Sequence, residues 1–270
     1  MRNILTSAIL ACAGMAALST EAPAATVTAG VNDIILGFEA TGGQGVALNL
    51  EVDLGPASQF LSGTSKTFTA VQIGNIAADL AATYGNTWFS RADLQWSVFG
   101  STGPSAYQGF LSATTFVTKP ETTPGLQTTP WPRGSNTTNS TASQDIQSVI
   151  AGLNGRTSTA NTNFGSLVTA SDGNSYTSHV SQSGGTVSFT AYGPTVEGNF
   201  GAGTAGSILD LYAVQRASGA AVGTDSQFLG TVKLDNNGNV IFTAVPEPTS
   251  TVALMTGVAA LGFVRRRRTA

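Results

Sequence analysis

Large apolar residues alternate with small or polar ones from Val46 to Leu54. Val46, Leu48, Leu50, Val52 and Leu54 fall on one side, and Ala47, Asn49, Glu51 and Asp53 on the other. Period two sends successive side chains to opposite faces of an extended chain, so this stretch predicts a strand with one face on a core. Such a strand needs sheet partners, and the chain offers several. Asp33–Phe38 is a compact apolar run closed by the turn residues Gly42 and Gly43, and Leu94, Trp96 and Val98 share a face further on. Tyr107–Val117, Thr186–Tyr192, a short piece at Val196–Phe200, Ser207–Ala217 and Phe228–Leu234 read the same way. Asn237-Gly238 between two apolar runs marks a hairpin from Phe228–Leu234 into Val240–Val245.

Two segments break this pattern with helical spacing. Ile76, Leu80 and Tyr84 recur every fourth residue after a capping Asn75, and Gly85 supplies the stop. Thr141 to Gln144 reads as a capping box ahead of Ile146, Val149, Ile150 and Leu153. Between strands and helices, Thr118–Ser140 carries Pro120, Pro124, Pro130 and Pro132, which deny backbone donors. It predicts a long surface loop or a join between two sub-domains at 118–140. The fold expected is mainly β: an antiparallel β-sandwich or jelly-roll-like body with two short helices, plus a hydrophobic helix at the C-terminus.

The two ends of the chain are of a different character. Met1, Arg2 and Asn3 form a short positive region, Ile4–Leu18 is apolar, and Ala22-Pro23-Ala24 is an A-x-A cleavage site, so residues 1–24 read as a signal peptide. Cleavage after Ala24 removes Cys12, the one cysteine, and leaves an exported body, 25–245, without thiol chemistry. At the other end, Val245-Pro246-Glu247-Pro248 precedes an apolar run over 249–264 and the block Arg265, Arg266, Arg267, Arg268. At 1.5 Å per residue that run reaches ~24 Å, a little short of the hydrocarbon core, and the arginines fix its end on the cytoplasmic side.

This three-part order closely resembles the PEP-CTERM sorting signal of Gram-negative bacteria. The resemblance implies that Pro246, Glu247 and Pro248 are read by a membrane-embedded exosortase and that 246–270 is a sorting and anchoring segment. Asp33–Phe38, Val52–Gly55, Asp79-Leu80 and Tyr84–Trp88 are similar, more loosely, to the N-terminal half of many PEP-CTERM proteins. The partners implied are the export translocon and signal peptidase, an exosortase at the tail, the membrane through 249–264 before processing, and exopolysaccharide outside the cell. The protein is expected to cross the inner membrane, to be anchored there transiently, and to end in the cell envelope or extracellular matrix.

Charge and chemistry set the remaining expectations. The chain has 12 basic and 15 acidic residues; without Arg2, Arg265–Arg268 and Glu21 the counts become 7 and 14, near −7. No basic stripe remains for nucleic acid. The single histidine, His179, would have to serve any Ser-His-Asp set, with Asp172 as its partner, and no nucleophile elbow accompanies it. Gly201–Gly206 matches G-x-G-x-x-G but leads into a strand-like run, so it reads as a glycine-rich turn. Asp235–Asn239 carries alternating oxygen side chains without the rest of a calcium loop.

Neither catalysis nor a cofactor or metal is therefore expected, and the leading role is structural or interactive. The alternative is a carbohydrate-binding or carbohydrate-active protein. It would use facing carboxylates among Glu39, Glu51, Asp53 and Glu197, or a platform of Trp88, Trp96 or Trp131. At strand spacing Glu51 and Asp53 read first as a solvated face, and Trp88 and Trp96 as core.

Overall fold

Three strands form the middle of the molecule: β1 (Asp33–Ala40), β2 (Leu48–Pro56) and β4 (Leu94–Ser101), with β1 between the other two. Leu36 of β1 faces Val52 on one side and Val98 on the other, so apolar residues from all three strands meet on one face. Ile34, Phe38, Leu50, Leu54, Leu94 and Trp96 complete it. The computed structural model describes residues 25–180, 196–202, 204–217 and 225–245. The signal peptide with Ala22 and Ala24, the strand expected at Thr186–Tyr192, the sorting motif Pro246, Glu247 and Pro248, the apolar C-terminal helix and Arg265–Arg268 lie outside the described residues. Among those described, no helix is long and apolar enough to cross a membrane.

The other strands are β3 (Lys66–Phe68), β5 (Thr115–Lys119), β6 (Gly165–Thr169), β7 (Gly198–Asn199), β8 (Ile208–Val214), β9 (Gln227–Leu234) and β10 (Val240–Ala244). All pairings are antiparallel, in the order β3-β10-β9-β8-β5-β4-β1-β2-β6, with β7 added against β4. The fold is thus mainly antiparallel β, but it is one curled sheet, a half-barrel, where two facing sheets were expected. A single sheet hides its apolar face by curling around small helices instead of closing on a second sheet. The helices are α1 (Ser58–Leu61), α2 (Ala70–Ile73), α3 (Ile76–Tyr84), α4 (Asn136–Leu153), α5 (Tyr176–His179) and α6 (Thr204–Ser207).

Residues of α1 to α3 join the concave core. Phe60 of α1 stacks on Phe68 at 5.4 Å and meets Phe242 edge-on at 5.1 Å, tying β3 and β10 to the chain leaving β2. Helix α3 begins and ends where its sequence places it: Asn75 accepts from the Ala78 N–H at 3.1 Å, and the Gly85 N–H returns to the Ala81 carbonyl. The hairpin after β9 also forms as read. The Asp235 carboxylate accepts from the Asn237 and Asn239 N–H groups, Gly238 takes φ 78°, and Val240 pairs with Leu234. The turn thus occupies Asp235 Oδ1 with its own backbone and Oδ2 with the Asn239 side-chain amide.

Three boundaries differ from the sequence reading. Tyr107 and Phe110 exchange backbone hydrogen bonds across Gln108 and Gly109, both at positive φ, so this stretch is a tight turn and the strand begins only at Thr115. The alternating strand starts at Leu48, leaving Val46 51% exposed. Helix α4 starts at Asn136, because Ser135 accepts from the Thr138 N–H at 3.1 Å and outcompetes the box at Thr141. Strands before and after the proline-rich region nevertheless share one sheet, since β5 pairs with both β4 and β8.

The two candidate caps separate cleanly by mutation. Ser135→Ala should cost about 1 kcal/mol in urea unfolding of the exported protein, and Thr141→Ala, in the second turn, under about 0.5 kcal/mol. The reverse ranking would return the start of the helix to Thr141.

Candidate functional site

The opposite, convex face of the central strands carries Asn49, Glu51 and Asp53 of β2, Gly37 and Glu39 of β1, and Ser97 and Phe99 of β4. Sequence alternation makes this a solvated face; the structure buries it, with Glu51 fully buried and Asp53 6% exposed. The cover comes from α4, whose Ile146, Val149, Ile150 and Leu153 share a second core with Ile35, Phe99 and Val117, and from α5. Polar groups under such a cover need internal partners.

Register lines four of them up. Glu51 pairs with Gly37 and Gly37 with Ser97, while the pairing of Trp96 with Gly198 carries the row on to Glu197. Tyr176, the first residue of α5, lies along this row. Its N–H donates to Glu51 Oε1 at 2.8 Å, its ring stacks on Phe99 at 5.4 Å, and its hydroxyl meets Ser97 Oγ at 2.5 Å and donates to Glu197 Oε1 at 2.7 Å. A Cβ on Gly37 would sit 2.6 Å from the Tyr176 ring, so only glycine admits the ring at this depth. Next to the row, Asn49 and Thr177 exchange two hydrogen bonds at 2.7 and 3.0 Å, and Thr177 also bonds Glu39.

Burial makes the acids of this cluster weak. Glu51 is pushed up to about 8 by desolvation, against the Tyr176 N–H and the charge of Arg156. Glu197 is held well above the usual range by desolvation and then by Glu39, and Glu39 is raised by desolvation. Each of the three keeps one oxygen without a hydrogen-bond partner: Glu39 Oε1, Glu51 Oε2 and Glu197 Oε2. Asp53, further along β2, is raised to about 7 by burial, opposed by the Gly55 N–H at 2.7 Å. The arrangement is a set of buried carboxyl groups whose acidity burial weakens, two of them, Glu51 and Glu197, bonded to one tyrosine. Glycoside hydrolysis instead asks for two carboxyls flanking an open groove.

The remaining sequence candidates take other places. Trp88, Trp96 and Trp131 are all interior, at 3%, 0% and 5% exposure, so they form no platform for a sugar ring. Trp96 donates to the Gly206 carbonyl at 2.6 Å and Trp131 to the Thr118 carbonyl at 3.2 Å. Gly201 lies in a single 3-10 turn, Phe200–Ala202, and Gly206 in the four-residue α6, beside Trp96. His179 does not meet Asp172, which pairs with Arg156 at 2.6 Å; its Nδ1 lies 3.5 Å from Asp145 Oδ1. No group of three metal-ligating side chains occurs among the described residues.

Open surface lies instead at the seam of the half-barrel. Two adjoining clefts of about 200 and 290 Å³ share Gln59 and Lys66; Phe68, Gln72 and Phe164 line the first, and Ser58, Ser62, Thr64 and Ser65 the second. Tyr176 itself escaped the sequence reading. The one local signal was Gly37, an isolated glycine inside an apolar strand, which marks close approach of another chain segment. No family model, no curated protein and no solved structure matches this chain.

Tyr176→Phe keeps the ring and removes the hydroxyl that serves Ser97 and Glu197. The expected loss is about 1–3 kcal/mol in denaturant unfolding, because two buried polar groups lose a partner together. A loss below about 0.5 kcal/mol would mean that the hydroxyl does not hold the row.

Proposed function

We propose that this chain is an exported protein sorted through its tail by an exosortase, and that its body serves a structural or interaction role in the cell envelope or extracellular matrix. The observation that carries the reading is the ordered tail: Pro246-Glu247-Pro248, the apolar segment 249–264 and Arg265–Arg268. The signal-peptide pattern ending at Ala22-Pro23-Ala24 supports it from the other end.

The junction with the body suits a processing enzyme. Strand β10 ends at Ala244, and the Val245 N–H still donates to the Leu229 carbonyl at 3.1 Å. Pro246 therefore follows directly on the last backbone hydrogen bond of the sheet, and a proline cannot extend that ladder. Cleavage or transfer at Pro246–Pro248 would leave β10 intact and free the body from the membrane. A polar matrix such as exopolysaccharide is the partner this route implies, and the hydroxyl- and amide-lined clefts at the seam offer it surface.

Intact-mass analysis of the surface-exposed protein, in cells with and without their exosortase, tests the reading. The tail from Pro246–Pro248 onward should be missing only when the enzyme is present, and replacing Pro246 and Pro248 by alanine should retain it. Surface protein that still carries Arg265–Arg268 in enzyme-containing cells would reduce the tail to a plain anchor.

A further inference from the structure

The convex cluster holds three carboxyl groups, at 2% (Glu39), 0% (Glu51) and 4% (Glu197) exposure, each with one oxygen that finds no donor. A buried carboxylate needs donors or a cation on both oxygens; a buried carboxylic acid needs far less. The groups facing the cluster supply little positive charge. From β1 and β2 come Glu39 and Glu51 themselves, with Asp53 beyond them, and from the residue just before β7 comes Glu197. From α5 come Tyr176 and His179, the latter turned to Asp145 of α4. Tyr84 approaches from the concave side, where its hydroxyl is taken by Leu50, Phe38 and Leu48, and Arg91 donates to the Tyr84 carbonyl. Arg156 acts on Glu51 from outside the cluster, but its guanidinium is committed to Asp172 at 2.6 Å and to the Gly152 carbonyl at 2.5 Å.

We propose that the seat of α5 on the sheet is a proton-dependent latch. It is closed while Glu39, Glu51 and Glu197 hold their protons, with Tyr176 bridging Glu51 to Glu197 and Thr177 bonded to Glu39, and it opens when they ionise. The latch is local. Tyr176 and Thr177 make all of the contacts described here between α5 and the acids, and α5 is a four-residue helix with little area of its own. Ionisation places negative charge on both ends of the Tyr176 row, where Glu51 and Glu197 hold the main-chain N–H and the hydroxyl. Freeing α5 lets water reach both carboxylates without disturbing the concave core, which lies on the other side of the sheet.

The direction follows from the proton count. In the closed form Glu51 titrates near 8 against an ordinary 4.5, so the closed form holds the extra proton between those values. Closure is therefore fully supported below about pH 4.5 and weakens as pH rises through about 8. For Glu51 alone, linkage between 4.5 and about 8 gives a roughly 50-fold increase in opening from pH 6 to pH 8.

Hydrogen exchange in the full exported protein reads this directly. The Tyr176 and Thr177 amides, corrected for the intrinsic pH dependence of exchange, should lose protection by roughly 50-fold or more from pH 6 to pH 8. The Leu211 and Val232 amides, in the sheet away from the cluster, should not. Glu51→Gln keeps an acceptor for the Tyr176 N–H and cannot ionise, so it should reduce that slope. Glu197→Gln provides a second, independent variant with the same expected direction. A wild-type slope shared equally by Leu211 and Val232, no slope at all, or a slope unchanged in both glutamine variants would each overturn the latch.

Discussion

Tyr176 lying across Glu51, Gly37, Ser97 and Glu197 is the contact on which the rest of this structure depends. One residue bonds polar groups of β2, β4 and the segment leading into β7. Its ring is stacked on Phe99, and its place exists only because position 37 lacks a side chain. Without it, the convex face of β1, β2 and β4 would present buried acids and amides with no partner, at a cost of about 1–3 kcal/mol for each group left unsatisfied.

The concave face is organised around a second tyrosine. Tyr84, at the end of α3, accepts from the Leu50 N–H at 3.0 Å and reaches the Phe38 and Leu48 carbonyls at 3.1 Å, bracing β1 against β2 where they diverge. The central strands are therefore clamped from both sides by hydroxyls, and neither face is left to solvent. A sheet covered twice can be both polar and buried, because its inward-facing acids, amides and hydroxyls bond to one another. That arrangement explains how a chain with 10% charged residues and abundant small polar ones still builds two cores.

What could be read in the residues was local. The alternation at Leu48–Leu54, the run at Asp33–Phe38, the capped helix ending at Tyr84 and the turn at Asn237-Gly238 each carry their own instructions within a few positions. The start of α4 was harder, because Ser135 and Thr141 both offer hydroxyl caps and only the packing of Ala142 and Asn139 against the sheet favours the earlier one. The burial of Glu51 and Asp53 was out of reach, since their cover comes from helices far along the chain, α4 at Asn136–Leu153 and α5 at Tyr176–His179. For the same reason alternation could not distinguish a single curled sheet from two facing ones: both require one apolar and one polar face per strand, and only the long-range helices decide what covers the polar side. The reading of the tail rests on three short blocks of sequence alone, Pro246–Pro248, 249–264 and Arg265–Arg268, which lie outside the described residues.

The central claim is that Gly37 and Tyr176 act as one unit, and a double-mutant cycle measures that most directly. Gly37→Ala, Tyr176→Ala and the double variant would be compared with the parent by denaturant unfolding. The added methyl collides with the Tyr176 ring, so Gly37→Ala should be markedly less damaging once that ring is gone, with a coupling of about 1 kcal/mol or more. Costs that add within about 0.5 kcal/mol would show that Tyr176 does not rest on Gly37, and the account of the convex face would fail with it.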